Sequence, residues 1–108
     1  MKINSIQEEI IEEFSHHHDW LEKYEYLITL GKSLKIPDKD LRKEENKIPG
    51  CQSTVWLKAE LKNNKIIFAA DSEALITRGI IALLLRVLNN QSPEDILKAD
   101  LYFMEKIG

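Results

Sequence analysis

The sequence predicts an α+β fold in which a small antiparallel sheet packs against helices. Three observations lead there. Apolar residues near the start recur at helical spacing, the spacing drops to alternation around a central Asn-Asn pair, and behind an Asp-Ser pair comes a nearly unbroken apolar run. With 108 residues the chain has room for one domain and one core, so a single domain over 1–108 is expected.

Each element follows from its own residues. Ile3, Ile6, Ile10, Ile11 and Phe14, with glutamates between them, form an amphipathic helix over about 3–14. Asp19 stands as an N-cap before Trp20, Tyr24, Leu27 and Ile28, giving a second helix over about 19–32 with Gly31 as its expected stop. From Pro37 to Pro49 the chain is charged and poor in apolar residues, which reads as a solvated connection. Val55, Leu57, Ala59 and Leu61 then alternate with Thr54, Trp56, Lys58 and Glu60, and Ile66-Ile67-Phe68-Ala69-Ala70 follows Asn63-Asn64. This is a hairpin with strands at about 54–61 and 65–70, because Asn tolerates the positive φ of tight turns. The sheet has room for a third strand.

Asp71-Ser72 offers a cap to a helix over about 73–89, apolar on nearly every side and therefore central. Ser92-Pro93-Glu94-Asp95 combines cap, proline and first-turn acids, and starts a helix over about 93–98. Ile96, Leu97, Leu101, Phe103, Met104 and Ile107 complete the candidate core.

Composition excludes several classes. One cysteine cannot close an intrachain disulfide, supply a thiolate zinc site or hold an iron–sulfur cluster. A net charge of −3 gives no basic footprint for nucleic acid. The longest apolar run, Ile80 to Leu85, is six residues, far short of the roughly 20 that span a bilayer, so no membrane partner is expected. The acid-bearing start has no apolar leader region, which together with an unpaired cysteine predicts a cytoplasmic location. Residues 1–25 hold seven acids and two bases, either the solvated face of a helix or a patch that steers a basic partner.

Two clusters are candidates for chemistry. His16, His17 and His18 are consecutive, so their imidazoles diverge and suit an interhelical turn better than a metal site. Cys51 lies in Gly50-Cys51-Gln52-Ser53, between the charged connection and the first strand, where a loop can present a side chain. Gly50 allows a positive-φ turn, and Gln52 and Ser53 carry donors for a thiolate or persulfide. Pairing about Asn63-Asn64 sets Asp71 to Glu73 opposite roughly Ser53 to Trp56, so the loop is expected near the start of the long helix. There the helix dipole and Lys47 would lower the thiol pKa, whereas Asp71, Glu73 and burial would raise it.

The run Ile48-Pro49-Gly50-Cys51-Gln52-Ser53-Thr54-Val55-Trp56-Leu57 resembles the signature of the SufE family, sulfur-acceptor proteins of iron–sulfur cluster assembly. Further stretches agree in order and spacing, among them Tyr26-Leu27-Ile28, Ala70-Asp71-Ser72-Glu73-Ala74 and Ser92-Pro93-Glu94-Asp95-Ile96. The resemblance implies an α+β domain and a role for Cys51 as persulfide acceptor, with Gly50, Gln52 and Ser53 supporting its loop. It also implies two partners, a SufS-like cysteine desulfurase that carries pyridoxal phosphate and a SufBCD-like scaffold complex, with no cofactor or metal on this chain. Trp56 on the following strand would pack in the sheet, cover the thiol loop or face a partner. Family members usually continue past the Leu101-Tyr102-Phe103 stretch into a further helix, so the chain reads as a fragment or a shortened version. The rival functions are an adaptor that activates the desulfurase without carrying sulfur and, disfavoured by the lack of a histidine near Cys51 in sequence, a cysteine hydrolase.

Overall fold

Helix α1 (Ile3–Ser15) turns its Ile3, Ile6, Ile10 and Phe14 inward, as the isoleucine spacing requires, and the glutamates between them face outward. The structure is a computed structural model and describes residues 2–35 and 40–108; Pro37, Asp38 and Lys39 of the charged connection lie outside the described residues. Helix α2 (Trp20–Ser33) begins where Asp19 accepts a hydrogen bond from the Glu22 amide at 2.9 Å. After a 3₁₀ turn at Glu44–Asn46 come strands β1 (Val55–Lys62) and β2 (Lys65–Ser72), then the central helix α3 (Leu75–Leu88) and two short helices, α4 (Pro93–Lys98) and α5 (Phe103–Ile107). The order is that of an α+β fold. Leu83, Val87 and Phe103 meet the buried face of α1 to form the core, and α3 lies between the helices and the hairpin.

The hairpin turns at Asn63 and Asn64, whose φ values of 51° and 63° are those of a primed turn. Its register pairs Leu57 with Ala70 and Ala59 with Phe68 on one face, and Trp56 with Asp71 on the other. No third strand forms among the described residues. Single antiparallel bridges, Lys47 to Trp56 and Gln91 to Ile66, flank the two strands instead.

Four sequence expectations need correction. Helix α3 starts at Leu75, not near 73, because Asp71 and Ser72 are drawn into β2; Ser72 Oγ still accepts from the Ala74 amide at 3.3 Å. Gly31 does not stop α2, which runs on to Ser33. It is buried against α3, and a Cβ there would lie 2.5 Å from the Leu75 carbonyl oxygen. Leu97, 86% exposed, and Met104, 39% exposed, lie outside the core. The sequence pattern offers α5 only as scattered core residues; the helix is seated by Gln7, a fully buried side chain of α1. Gln7 donates from Nε2 to the Asp100 carbonyl at 3.0 Å and accepts at Oε1 from the Phe103 amide at 3.1 Å.

Part of the acidic N-terminal face is neutralised within the fold. Arg86 of α3 pairs with Glu9 and Glu13, and Tyr26 donates to Glu13 Oε1 at 2.6 Å. The Arg86 hydrogen bond, partly opposed by burial, holds the Glu13 carboxyl below the ordinary value of 4.5. Burial and the bond to Glu13 push the Tyr26 phenol up to about 12. His17 stacks on Tyr26 with centroids 4.7 Å apart, so this imidazole packs as an aromatic ring.

Candidate functional site

The thiol sits on a loop closed at its base. The Ile48 amide donates to the Val55 carbonyl at 2.9 Å, and Lys47 is bridged to Trp56, so residues 49–54 form a short loop above this stem. Gly50 has φ +85°, and a Cβ on it would meet nothing within 4 Å. The glycine therefore serves the backbone conformation and no close approach. Cys51 follows as a free, exposed thiol. Gln52 is exposed and Ser53 half-buried, and neither side chain is engaged in a hydrogen bond among the described residues. Thr54 ends the loop with its carbonyl accepting from Ser72 Oγ at 2.7 Å, just ahead of α3.

The structure places the other sequence-predicted residues as follows. Asp71 is fully buried beneath the loop base, opposite Trp56 in the register, with its carboxylate between two guanidinium groups. Arg42 Nε donates to Oδ2 at 2.8 Å, and Arg78 Nη1 lies 3.0 Å from Oδ1 as an ion pair not aligned for a hydrogen bond. Glu73 is exposed, and neither carboxylate bonds to Cys51. Lys47 Nζ pairs with Glu44 Oε1 at 2.8 Å, so the nearest sequence cation is committed to that carboxylate. Trp56 is 8% exposed, with the Arg42 guanidinium 4.7 Å from its ring centroid.

Arg42 and Arg78 are the residues that sequence reasoning missed. Arg42 lies in a charge run that reads as solvent-facing, and Arg78 in an apolar helix where it looks like an interruption. A signal was available in Asp71: a carboxylate at the end of a β-strand that alternates into the interior needs a buried cation.

On the opposite face of the hairpin, Ile48 and Val55 from the loop stem join Leu57, Phe68, Ile81 and Leu85 around an almost wholly apolar groove of about 210 Å³. Among the described residues no group of His, Cys, Asp and Glu is arranged to hold a metal ion, and no helix is long and apolar enough to cross a membrane. Chemically, then, the site offers one accessible sulfur, two uncommitted polar side chains and a braced backbone.

Comparison with known proteins supplies the context. The SufE family, described as an Fe-S metabolism associated domain, matches residues 8–108. A SufE-like protein of Synechocystis sp. is 34% identical over 99 residues, covering 92% of this chain and 62% of its own length. A SufE-like protein of Rhizobium etli is 35% identical over 106 residues, covering 94% of this chain and 72% of its own. The chain thus spans less than two thirds of the first relative and somewhat more of the second. With the match running through the thiol loop, the hairpin and every helix, the chain belongs to the SufE family of iron–sulfur metabolism.

Proposed function

We propose that the protein is a sulfur acceptor and carrier in iron–sulfur cluster assembly. Cys51 takes sulfur from the persulfide of a pyridoxal-phosphate-dependent cysteine desulfurase, stimulates that enzyme by clearing its active-site sulfur, and passes the sulfur to a scaffold complex, all in the cytoplasm. One observation supports this above the rest: the chain's single thiol is free and exposed on a short braced loop beside uncommitted donors at Gln52 and Ser53. In the transfer step the Cys51 thiolate attacks the outer sulfur of the desulfurase persulfide. A new sulfur–sulfur bond forms, the old one breaks, and the desulfurase cysteine leaves as a thiolate, so electrons balance without an external oxidant. The negative charge leaves on the desulfurase thiolate; once the Cys51 persulfide gives its own proton to solvent, Gln52 and Ser53 are the neighbouring side chains that can donate to the anion.

Intact-protein mass spectrometry tests the reading. After incubation with a cognate desulfurase and L-cysteine, the chain should gain about 32 Da per sulfur at Cys51 and lose it to reductant, while Cys51→Ser gains nothing. A chain that acquires no sulfur refutes the carrier role. If Cys51→Ser also keeps full stimulation of the desulfurase, the protein is an adaptor.

A further inference from the structure

We propose that Arg42 is a positioning residue for Cys51, holding the stem of the thiol loop so that the sulfur is presented in one geometry; this rests on the sulfur-acceptor reading. The stem has one residue at which its supports meet. Trp56 is paired with Asp71 on β2 and bridged to Lys47 on the ascending limb of the loop. Whatever fixes the Trp56 ring also fixes the rung between Ile48 and Val55.

Arg42 is the group that does so. Its guanidinium lies 4.7 Å from the Trp56 centroid, its Nε donates to Asp71 at 2.8 Å, and its Nη2 reaches the Ser72 carbonyl at 3.4 Å. A planar guanidinium can stack on a ring and direct in-plane N–H groups to oxygens at its edge, whereas an ammonium cannot do both. The backbone before it is itself anchored, since Leu41 is fully buried and its carbonyl accepts from Asn46 Nδ2 at 2.9 Å. Asp71 continues the brace through Arg78, whose Nε donates to the Gly31 carbonyl at 3.0 Å and whose Nη2 donates to Leu34 at 3.3 Å. The loop stem is thereby tied to α3 and α2.

Burial separates positioning from folding. The Arg42 side chain is 46% exposed, so its loss leaves no large cavity. Asp71 loses the Arg42 hydrogen bond but keeps Arg78 as an ion partner at 3.0 Å, so its charge is not left without a counter-charge. Arg42→Ala should therefore fold while its loop stem loosens.

The experiment compares wild type, Arg42→Ala and Arg42→Lys, all with Cys51 intact. In Arg42→Ala the Ile48 amide should lose about tenfold in hydrogen-exchange protection while amides of α1 and α3 keep theirs. Sulfur arrival at saturating protein should slow by about tenfold or more, with KM for this chain within about twofold of wild type. Iodoacetamide alkylation of Cys51 should also stay within about twofold, because a small reagent needs no fixed geometry. Arg42→Lys should behave as Arg42→Ala at Ile48. Unchanged Ile48 protection in Arg42→Ala, full recovery by Arg42→Lys, or a uniform loss of protection over all elements would each overturn the proposal. Failure of the underlying reading looks different: wild type itself would acquire no sulfur, while exchange at Ile48 still reports whether Arg42 braces the stem.

Discussion

Replacing Gly31 tests how α2 and α3 are held together, and with them the carbonyl that receives Arg78. A Cβ built on Gly31 lies 2.5 Å from the Leu75 oxygen, 3.0 Å from the Gly79 nitrogen and 3.1 Å from Arg78 Cβ. The first contact is about 0.9 Å short of the 3.4 Å at which ordinary van der Waals contact begins. Two of the three neighbours are backbone atoms, so no change of rotamer relieves them and the helices must move apart. Overpacking of this kind costs about 1–3 kcal/mol, and a rigid backbone contact belongs at the upper end. The better helix propensity of alanine returns at most about 1 kcal/mol. Gly31→Ala should then lose about 2 kcal/mol, which for a domain of this size lowers Tm by roughly 10 °C. Thermal and urea unfolding followed by far-UV circular dichroism measures it. Gly31→Asn makes the test sharper. At a packing contact the larger side chain is worse than alanine, whereas at a left-handed helix stop Asn is the better substitute. If Asn proves equal to or milder than Ala, or if Ala leaves Tm unchanged, the close approach of α2 and α3 is refuted.

Gln7→Leu removes the partners of the Asp100 carbonyl and the Phe103 amide in the core. Urea unfolding should show a loss of roughly 2–3 kcal/mol, with early exchange of α5 amides. Gly50→Ala forces φ +85° on a residue with a Cβ, though with open space around it. It should cost about 1–2 kcal/mol in thermal unfolding, with Gly50→Asn closer to wild type. The Glu13 carboxyl is held low in the folded state, so its contribution is present above the unfolded value of 4.5 and lost as pH falls through the folded value. The gap in unfolding free energy from urea titration between wild type and Glu13→Gln, no more than about 1 kcal/mol for a pair this exposed, should therefore close on acidification. Tyr26 titrates near 12 instead of 10, so its contribution is intact below pH 10 and disappears as pH rises through 12. An NMR titration of its ring should place the midpoint there and move it downward in Glu13→Gln.

The parts of this fold that read directly from the sequence are those governed by near neighbours. Alternation from Val55 to Leu61 and the paired asparagines specify a hairpin, and the observed strands differ from the expected ones by losing Thr54 and gaining Lys62 in the first and by gaining Asp71 and Ser72 in the second. The caps at Asp19 and Ser92 act over three residues and are found as expected. Gly31 reads as a helix stop because a glycine before a lysine near the end of an apolar stripe has that local pattern, while its actual constraint is the Leu75 carbonyl, remote in sequence. Helix α5 is too short to show a period. For the candidate site the contrast is similar: the thiol loop is contiguous and carries its own pattern, but the Arg42–Asp71 pair spans 29 positions and becomes visible only when the hairpin closes.

The two-rung stem also sets a reach. Cys51 stands three residues beyond Ile48, and three fully extended residues cover at most about 10 Å. A loop tied at both ends cannot use even all of that length, unlike a free linker, which could extend further at an entropic cost. A partner that offers its sulfur within that depth of its rim can be met with the stem intact. One that buries it deeper would have to break the Ile48–Val55 hydrogen bond first, so the depth of the donor cleft becomes a criterion for which desulfurases this chain can serve.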